Sequence, residues 1–314
     1  MKYQILGKTG ISVSNICFGS LTISPLQKNL SLSAGSNVLN RAIDKGINFI
    51  DTADLYDTYS FIKQAIQKRR DLVIATKSYA YDKTTAQSTL ERALREIGRD
   101  YIDIFLLHEQ ESPLTLKGHE EAIQYFIKQK EKGYIRSIGI STHFVTAVNA
   151  AANMDEIDVI HPILNYKGLG IVDGDRNDME CALSSAYLNG KGIYTMKPLG
   201  GGHLLKNFEK AFNYIANFPY LHSFAIGMQR AEEVDANIAY FEDQYLPEEL
   251  SLKLKKYERK LLIQDWCQGC GKCVKRCKQG ALCLYNGRAI VDKDRCILCG
   301  YCGSVCKELA IKVI

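Results

Sequence analysis

The sequence has no long apolar run. Nowhere in its 314 residues is there an uncharged hydrophobic stretch of the roughly 20 residues that a membrane-spanning helix needs. Residues 1–7 (MKYQILG) also lack the apolar core of a signal peptide. We therefore expect no membrane partner and a cytoplasmic location.

The sequence also lacks a strong excess of either charge. Its net charge of +5 comes from 40 Lys and Arg against 35 Asp and Glu. The basic residues are spread along the chain rather than run together. An excess this small and dispersed does not indicate nucleic-acid binding, so we expect no nucleic-acid partner.

Cysteine is scarce in most of the chain and concentrated at its end. Nine of the 11 cysteines lie in residues 265–314. Because the cytosol is reducing, structural disulfides are not expected. Three cysteines fall outside any repeated pattern, and we expect Cys17, Cys181 and Cys283 to be small packing residues.

The remaining eight cysteines form one spacing pattern twice. The first block is Cys267-x-x-Cys270-x-x-Cys273-x-x-x-Cys277, and the second is Cys296-x-x-Cys299-x-x-Cys302-x-x-x-Cys306. Three closely spaced thiolates reach three irons of a cubane, and the fourth iron takes the distant cysteine of the other block. One predicted [4Fe–4S] cluster is therefore held by Cys267, Cys270, Cys273 and Cys306. The second is held by Cys296, Cys299, Cys302 and Cys277. Zinc bound by paired C-x-x-C knuckles is the competing interpretation.

This array resembles bacterial two-cluster ferredoxins over nearly all of residues 265–314. The resemblance implies a small α+β domain that transports single electrons, although clusters that only hold the domain together are an alternative. The Pro that usually follows the fourth cysteine is replaced by Lys278 and Lys307. A basic group near the first block would offset cluster charge, attract an acidic partner or simply be solvated: Lys272, Lys275, Arg276 and Lys278.

Residues 1–240 alternate short apolar runs with amphipathic stretches. Eight runs fit strands buried on both faces: 16–23, 47–51, 72–76, 101–107, 135–140, 159–164, 192–196 and 224–228. Between them, segments such as 89–97 and 119–130 have helical spacing. This pattern predicts a closed (β/α)₈ barrel. A doubly wound open sheet is disfavoured because no G-x-G-x-x-G follows the first strand.

Residues 241–264 are predicted to be a helical linker between the barrel and the cysteine-rich tail. Pro247 can occupy the first turn of a helix. The stripe formed by Leu250, Leu254, Tyr257 and Leu261 would then pack against the barrel.

Polar residues occur where three successive barrel strands end. Asp51 ends the second strand, with Tyr56 in the loop after it, and Lys77 and His108 end the next two strands. In such barrels the chemistry lies at this edge. A neighbouring Lys77 ammonium would lower the pKa of the Tyr56 phenol. Tyr56 could then donate a proton to a carbonyl oxygen oriented by His108, while Asp51 holds Lys77.

These four residues, in their order and contexts (IDTADLY, IATKS, FLLHEQ), resemble the aldo-keto reductase family. The segments LREIGRDYIDIFLLH and LGKTGISVSNICFGS resemble it too, and the resemblance covers residues 1–240. It implies a nicotinamide cofactor, NAD(H) or NADP(H), at the mouth of the barrel. The cofactor-binding positions that it implies are Ser141, Asn165, Lys197, Pro198, Leu199, Gly200, Gly201, Gly202, Gly227, Arg230 and Asn237.

Three positions depart from the family pattern. His161 replaces a common Gln, Leu164 replaces a Tyr, and Glu233 replaces an Arg that meets the 2′-phosphate. A carboxylate at position 233 would repel a phosphate, so NADH is as well supported as NADPH. The sequence carries no signal for a flavin, although a flavin site needs no fixed motif.

The sequence therefore predicts an NAD(P)-linked oxidoreductase that acts on a small carbonyl or alcohol and whose clusters exchange electrons with a protein partner. Two alternatives stay open. In one, an ordinary carbonyl reductase has structural or redox-sensing clusters. In the other, the barrel only binds nucleotide in an electron-transfer or regulatory protein.

Overall fold

The computed structural model describes all residues from 1 to 314. It begins with an antiparallel hairpin of β1 (Tyr3–Ile5) and β2 (Ser12–Ser14). Eight parallel strands follow and form a closed barrel, in which the last strand pairs with the first. These strands are β3 (Ile16–Gly19), β4 (Phe49–Asp51), β5 (Val73–Ser78), β6 (Ile102–Leu107), β7 (Ile135–Thr142), β8 (Val159–Pro162), β9 (Gly192–Met196) and β10 (Ser223–Gly227). The predicted (β/α)₈ barrel is confirmed.

Helices surround the barrel on the outside. Those within and just after the barrel are α1 (Leu32–Asp44), α2 (Tyr59–Lys68), α3 (Lys83–Ile97), α4 (Pro113–Gly118), α5 (Glu120–Glu131), α6 (Val145–Ala152), α7 (Arg176–Leu188), α8 (Phe208–Ala216) and α9 (Ala231–Asp243). Helix α3 begins six residues before the predicted segment 89–97 because Asp82 and Thr85 form a capping box at its N-terminus. None of the helices has the length and apolar character that a membrane span requires.

The barrel has two apolar layers. A group of 55 buried residues lies largely between the strands and the surrounding helices, and a separate group of 12 fills the barrel itself. The alternation along a strand separates them, since Phe49 belongs to the inner group and the adjacent Ile50 to the outer one. Leu6, Ile11 and Val13 from the N-terminal hairpin join the inner group and close the bottom of the barrel.

The tail is a small α+β unit. After α10 (Glu248–Lys255), strand β11 (Leu261–Ile263) pairs antiparallel with the final strand, and α11 (Lys272–Arg276) lies between the two sheets in sequence. Strands β12 (Leu282–Tyr285) and β13 (Arg288–Val291) form a hairpin, and β14 (Ile311–Val313) ends the chain. The expected helical stripe is therefore wrong at its last two members, because α10 ends before Tyr257 and Leu261 pairs with Val313 in a sheet.

The tail packs on the open end of the barrel. Leu309 is fully buried in the outer apolar layer of the barrel and lies against Gly170. His203, in the loop after β9, contacts the carbonyl oxygen of Ile311 at 2.8 Å through Nε2. The same imidazole fills the space beside Gly303, so a side chain at position 303 would collide with it. The barrel mouth is thus partly covered by the cysteine-rich tail.

Candidate active site and cysteine array

The four polar residues predicted from the sequence converge at the open end of the barrel. Asp51 is the last residue of β4, Lys77 lies near the end of β5, and His108 directly follows β6. Tyr56 ends a short 3₁₀ helix, Asp54–Tyr56, in the loop after β4. Because the carboxyl ends of parallel strands meet at one edge, residues far apart in sequence form one group.

Lys77 is held by two hydrogen bonds. Its ammonium donates to Asp51 Oδ2 at 2.8 Å and to the Thr52 carbonyl oxygen at 2.7 Å. The side chain is 1% exposed and that of Asp51 is 7% exposed, so this ion pair is buried. An ammonium has three N–H groups. The third is therefore free for another partner, and Nζ lies 4.9 Å from the centre of the Tyr56 ring.

The surroundings of Tyr56 favour the protonated phenol. Burial raises the pKa of its phenol well above 10.0, and the carboxylates of Asp51 and Glu109 and the phenol of Tyr79 add to this shift. The direction is opposite to the one expected from the neighbouring ammonium of Lys77. The phenol is consequently a proton donor at neutral pH rather than a preformed phenolate.

His108 faces the same space with an unpaired ring nitrogen. Its Nδ1 is buried and has no hydrogen-bond partner. Its ring stacks on Tyr79 with 4.6 Å between centroids and meets Tyr56 edge-on at 5.8 Å. Burial lowers the pKa of His108 well below 6.5, and the ammonium groups of Lys77 and Lys197 lower it further. A neutral imidazole with a free nitrogen can hydrogen-bond a bound oxygen.

Two inward-facing residues that the sequence analysis did not assign to the group complete it. The Tyr194 hydroxyl donates to Asp51 Oδ1 at 2.9 Å, so both carboxylate oxygens of Asp51 are held. The His161 ring stacks on Tyr194 at 3.9 Å, and its Nδ1 lies 2.7 Å from the Tyr194 carbonyl oxygen. Burial lowers the pKa of His161 to about 4. The strand alternation that points Tyr194 inward was the signal available in the sequence.

A cavity of about 850 Å³ opens beside this group. Asp51, Tyr56 and His161 line one part of it, and Asn237 lines another. The tail contributes its last three residues to the wall, Lys312, Val313 and Ile314. The volume lies in the range of small-molecule and cofactor sites. The cavity is therefore built by both parts of the chain.

The cysteines of the tail surround a second, smaller cavity. Four of the thiols predicted to share one cluster line it: Cys277, Cys296, Cys299 and Cys302. The backbone N–H of Ala281 donates to Cys277 Sγ at 3.4 Å, a contact that stabilises a thiolate. Four thiols that share one small space are the donor set of a [4Fe–4S] cluster, in which each thiolate binds a different iron. The residues present thus fit a [4Fe–4S] cluster.

The other four cysteines are also neighbours. Burial raises the pKa of Cys273, and the nearby thiols of Cys306, Cys267 and Cys270 add to that shift. Burial also raises the pKa of Cys306, and the thiols of Cys267 and Cys270 add to that shift. No group of three or more His, Cys, Asp or Glu side chains forms a site for a single metal ion. Cys306, from the second block, therefore lies near the three first cysteines of the first block.

The three other cysteines differ in their surroundings. Cys17 is fully buried inside the barrel, as expected. Cys181 and Cys283 are exposed, so the expectation that they pack in a core is wrong. On α7 the buried positions are Met179, Ala182, Leu183 and Ala186, and position 181 faces outward between them.

The sequence matches the model of the aldo/keto reductase family over residues 15–217. The chain belongs to the aldo/keto reductase family. A 4Fe–4S binding domain model also matches residues 289–312, which contain the second cysteine block. The chain therefore combines an aldo/keto reductase barrel with a 4Fe–4S binding domain.

Similar proteins agree with this assignment. An uncharacterized oxidoreductase, YqkF, from Bacillus subtilis is 26% identical over 79% of this chain and 94% of its own length. A probable voltage-gated potassium channel subunit beta from Arabidopsis thaliana is 26% identical over 67% of each chain. The solved structure of a putative aldo-keto reductase, PA4992, from Pseudomonas aeruginosa has a TM-score of 0.66 at 21% identity, covering 77% of this chain and 95% of that one. At that identity it supports the fold alone.

The aldo/keto reductase cofactor positions named from the sequence divide into two groups. Seven line the large cavity: Lys197, Pro198, Leu199, Gly201, Gly202, Gly227 and Asn237. Four do not: Ser141, Asn165, Gly200 and Arg230.

Three of these four have other contacts in the structure. Ser141 Oγ accepts the backbone N–H of Glu109 at 2.9 Å. The Asn165 side-chain amide is hydrogen-bonded within its own loop, because it donates to the Leu169 carbonyl oxygen and accepts the Leu169 backbone N–H. The Arg230 guanidinium stacks on the Tyr257 ring at 3.7 Å. Asn165 therefore has fewer groups free for a cofactor than its place in the motif implied.

The glycines after β9 serve a purpose that the sequence did not reveal. Gly201 and Gly202 have φ values of 66° and 90°, which glycine adopts without strain. A Cβ at Gly202 would lie 2.1 Å from the Val313 carbonyl oxygen. The absence of side chains in this aldo/keto reductase loop therefore lets the final strand of the tail approach, in addition to leaving room for a cofactor.

Proposed function

We propose that this chain reduces a small carbonyl compound to an alcohol with NAD(P)H, and that Tyr56 is the general acid. The observation that carries this proposal is the grouping of Tyr56 with the buried Lys77–Asp51 ion pair and neutral His108 at the end of a cavity. Carbonyl reduction needs a proton donor at the oxygen and a hydride source at the carbon. Bound NAD(P)H supplies the hydride.

Side chains of the protein orient the carbonyl oxygen and supply its proton. The protonated Tyr56 hydroxyl and a nitrogen of neutral His108 hydrogen-bond the carbonyl oxygen and orient it. As negative charge develops on that oxygen, Tyr56 donates its proton. The third N–H of Lys77 then stabilises the phenolate, whose charge would otherwise be costly in a buried site. Asp51 is held by Tyr194 and keeps Lys77 in place.

The charges around Glu233, at one side of the cavity, support NADPH as the cofactor. Glu233, which the sequence predicted to repel a phosphate, forms an ion pair with Arg259 at 3.4 Å and accepts the Gln229 backbone N–H at 2.7 Å. Arg259 comes from the segment after α10 and lines the cavity. Other positive groups lie nearby. The pKa of Lys28 is lowered by burial and then by neighbouring cations, of which Arg230 has the largest effect. A 2′-phosphate would be attracted to this side of the cavity.

The tail is proposed to hold two [4Fe–4S] clusters that exchange single electrons with a protein partner. The two cysteine groups described above support the two clusters. Four exposed basic residues of the tail support an acidic partner: Lys272, Lys275, Arg276 and Lys278. A hydride carries two electrons whereas each cluster transfers one at a time. Comparing aldehyde reduction at matched NADPH concentration with oxidised and with reduced clusters tests this role, because equal rates would mean that the clusters do not take part in turnover.

Replacing Tyr56 by Phe tests the catalytic proposal. Removing the hydroxyl should lower kcat for aldehyde reduction about 10²- to 10⁴-fold, the usual contribution of a general acid. NADPH binding and iron content should stay at the wild-type level. Tyr81→Phe is the matched control, because Tyr81 is exposed in the neighbouring loop. Unchanged kcat in Tyr56→Phe would exclude Tyr56 as the general acid, whereas absence of aldehyde reduction by the wild-type chain would favour a barrel that only binds nucleotide.

A further inference from the structure

Three lysines lie at the mouth of the barrel, and only one of them has a carboxylate partner. Lys77 pairs with Asp51. Lys197 Nζ contacts His143 Nε2 at 2.7 Å, and Lys312 Nζ forms no hydrogen bond. Neither Lys197 nor Lys312 forms a salt bridge. Neither of these two lysines therefore has a carboxylate within salt-bridge distance, and the Cys306 thiol and Glu109 are the acidic groups that act on Lys312.

Lys312 reaches the mouth from the cysteine-rich tail. It lies on β14, is 4% exposed, and its side chain packs over Gly201. Lys312 and Lys197 line the same cavity as Tyr56. The tail thus places a positive charge in a cavity whose reacting groups belong to the barrel.

The contact of Lys197 with His143 fixes the position of its ammonium group at the cavity. His143 Nδ1 lies 3.1 Å from the Gly170 carbonyl oxygen, so its ring proton is used there. His143 Nε2 must then accept from Lys197, which leaves two further N–H groups on Lys197.

Two unpaired cations so close together are electrostatically unfavourable. Burial and the charge of Lys197 lower the pKa of Lys312 well below 10.5, against opposing effects of Cys306 and Glu109. Burial also lowers the pKa of Lys197 to about 8, against an opposing effect of Glu109. Glu109 is exposed, and its carboxylate accepts a hydrogen bond from the Tyr79 hydroxyl at 2.5 Å. A bound anion would relieve the repulsion and supply the missing hydrogen-bond acceptors.

We propose that Lys312 and Lys197 form an anion-binding subsite of the cavity, to which the tail and the barrel each contribute one lysine. The subsite takes a carboxylate or phosphate group, either on the carbonyl substrate or on the dinucleotide. The first of these sources rests on the proposed function, and the second requires only that the cavity binds a dinucleotide. The tail therefore takes part in ligand selection, apart from any electron transfer.

The experiment compares Lys312→Gln with the wild-type chain, using two aldehydes and one cofactor. Loss of a charge-assisted hydrogen bond should weaken binding of the anion about 10- to 100-fold. If the anion is on the substrate, KM rises for succinic semialdehyde and not for 4-nitrobenzaldehyde. If it belongs to the dinucleotide, the dissociation constant of NADPH, measured by fluorescence titration, rises instead. Either result supports the subsite.

Two further variants separate charge from structure. Lys312→Arg should retain most of the affinity, because it keeps the positive charge. Lys293→Gln is the matched control, since Lys293 is exposed elsewhere in the tail. Iron content must stay at the wild-type level in all three variants for the comparison to report on the cavity.

The subsite is refuted if Lys312→Gln, with normal iron content, leaves both the KM of the anionic aldehyde and the NADPH dissociation constant unchanged. This outcome differs from failure of the proposed function, in which the wild-type chain reduces neither aldehyde. In that case, calorimetric binding of NADPH and of succinate to the wild-type chain and to Lys312→Gln still tests the subsite.

Discussion

The barrel and the tail differ in how much apolar core they contain. The barrel has groups of 55 and 12 buried residues, whereas the tail core has six, two of which are Cys273 and Cys302. So small an apolar core does not offset the conformational entropy of ordering about 50 residues. We therefore expect the barrel to fold on its hydrophobic interior and the tail to depend on the clusters that its cysteines are proposed to bind.

The barrel and the tail also differ in the charge partners of their buried lysines. In the barrel, Lys77 is compensated by Asp51, so the proposed catalytic group is complete within one domain. In the tail, Lys312 is buried without a carboxylate in salt-bridge distance and lines the barrel cavity. The proposed anion-binding subsite accounts for this difference. The predictions below test these contrasts in order of decreasing effect.

The largest expected effect is loss of the tail fold when a cluster ligand is removed. Cys302→Ala should lower the iron content by about half, because one of two predicted clusters loses a ligand. Amide exchange should then become fast in β11 and β14 and stay slow in the barrel strands. Cys283→Ala is the control, since that exposed thiol lies outside both groups. Slow exchange in β14 of Cys302→Ala with halved iron content would show that the tail fold does not depend on both clusters.

The next effect is on the ion pair beneath Tyr56. Lys77→Met leaves Asp51 buried and uncompensated, which should lower the free energy of unfolding by about 3 to 5 kcal/mol. It should also abolish most aldehyde reduction. Lys130→Met breaks the partly exposed pair with Asp158 and should cost about 0 to 1 kcal/mol. Equal losses in the two variants, measured by urea unfolding, would contradict the account of a buried, functional pair.

A smaller effect is expected where the two parts meet. Gly202→Ala should cost about 1 to 3 kcal/mol from overlap with the Val313 carbonyl oxygen, in addition to about 1 to 2 kcal/mol of left-handed backbone strain. Gly10→Ala isolates the strain, because Gly10 has a φ of 70° and no atom near its added Cβ. Thermal unfolding should separate the two variants. Identical destabilisation of the two variants would mean that the Val313 carbonyl oxygen does not pack closely against the loop at Gly202.

The smallest effect concerns pH. Lys197, which faces His143, Glu109, Lys77 and Lys312, has a pKa lowered to about 8, so its charge is present below that pH and lost above it. Because an anion needs the protonated amine, kcat/KM for succinic semialdehyde should fall about tenfold from pH 7 to pH 9. The neutral aldehyde provides the reference profile. Parallel profiles for the two aldehydes would remove Lys197 from substrate recognition.

The barrel and its four polar residues were predictable because their signals are local. Apolar runs of strand length mark β5 and β6, both fully buried. Asp51, Lys77 and His108 each follow directly from the end of such a run. Parallel strands in a closed barrel then bring these ends together, whatever their distance in sequence. The proton state of Tyr56 was not predictable, since it depends on burial and on Glu109, whose position is set by a loop.

The contribution of the tail could not be predicted from local pattern. The pairing of Leu261 with Val313 joins residues that lie far apart in sequence, and neither short strand has a distinctive composition. This pairing is what positions Lys312 over the cavity. The role of Arg259 beside Glu233 was missed for the same reason, because the segment carrying it read as a linker. By contrast, helical periodicity on α7 would have placed Cys181 on the outer face.

The central claim is that the barrel transfers hydride directly to a carbonyl carbon while Tyr56 protonates the oxygen. The most direct test is a single turnover of the anaerobically prepared, iron-loaded chain with NADPH carrying deuterium at the transferred C4 position. The account predicts deuterium on the carbinol carbon of the alcohol, formed at a rate that falls about 10²-fold or more in Tyr56→Phe. An alcohol without deuterium, formed equally fast by that variant, would contradict it.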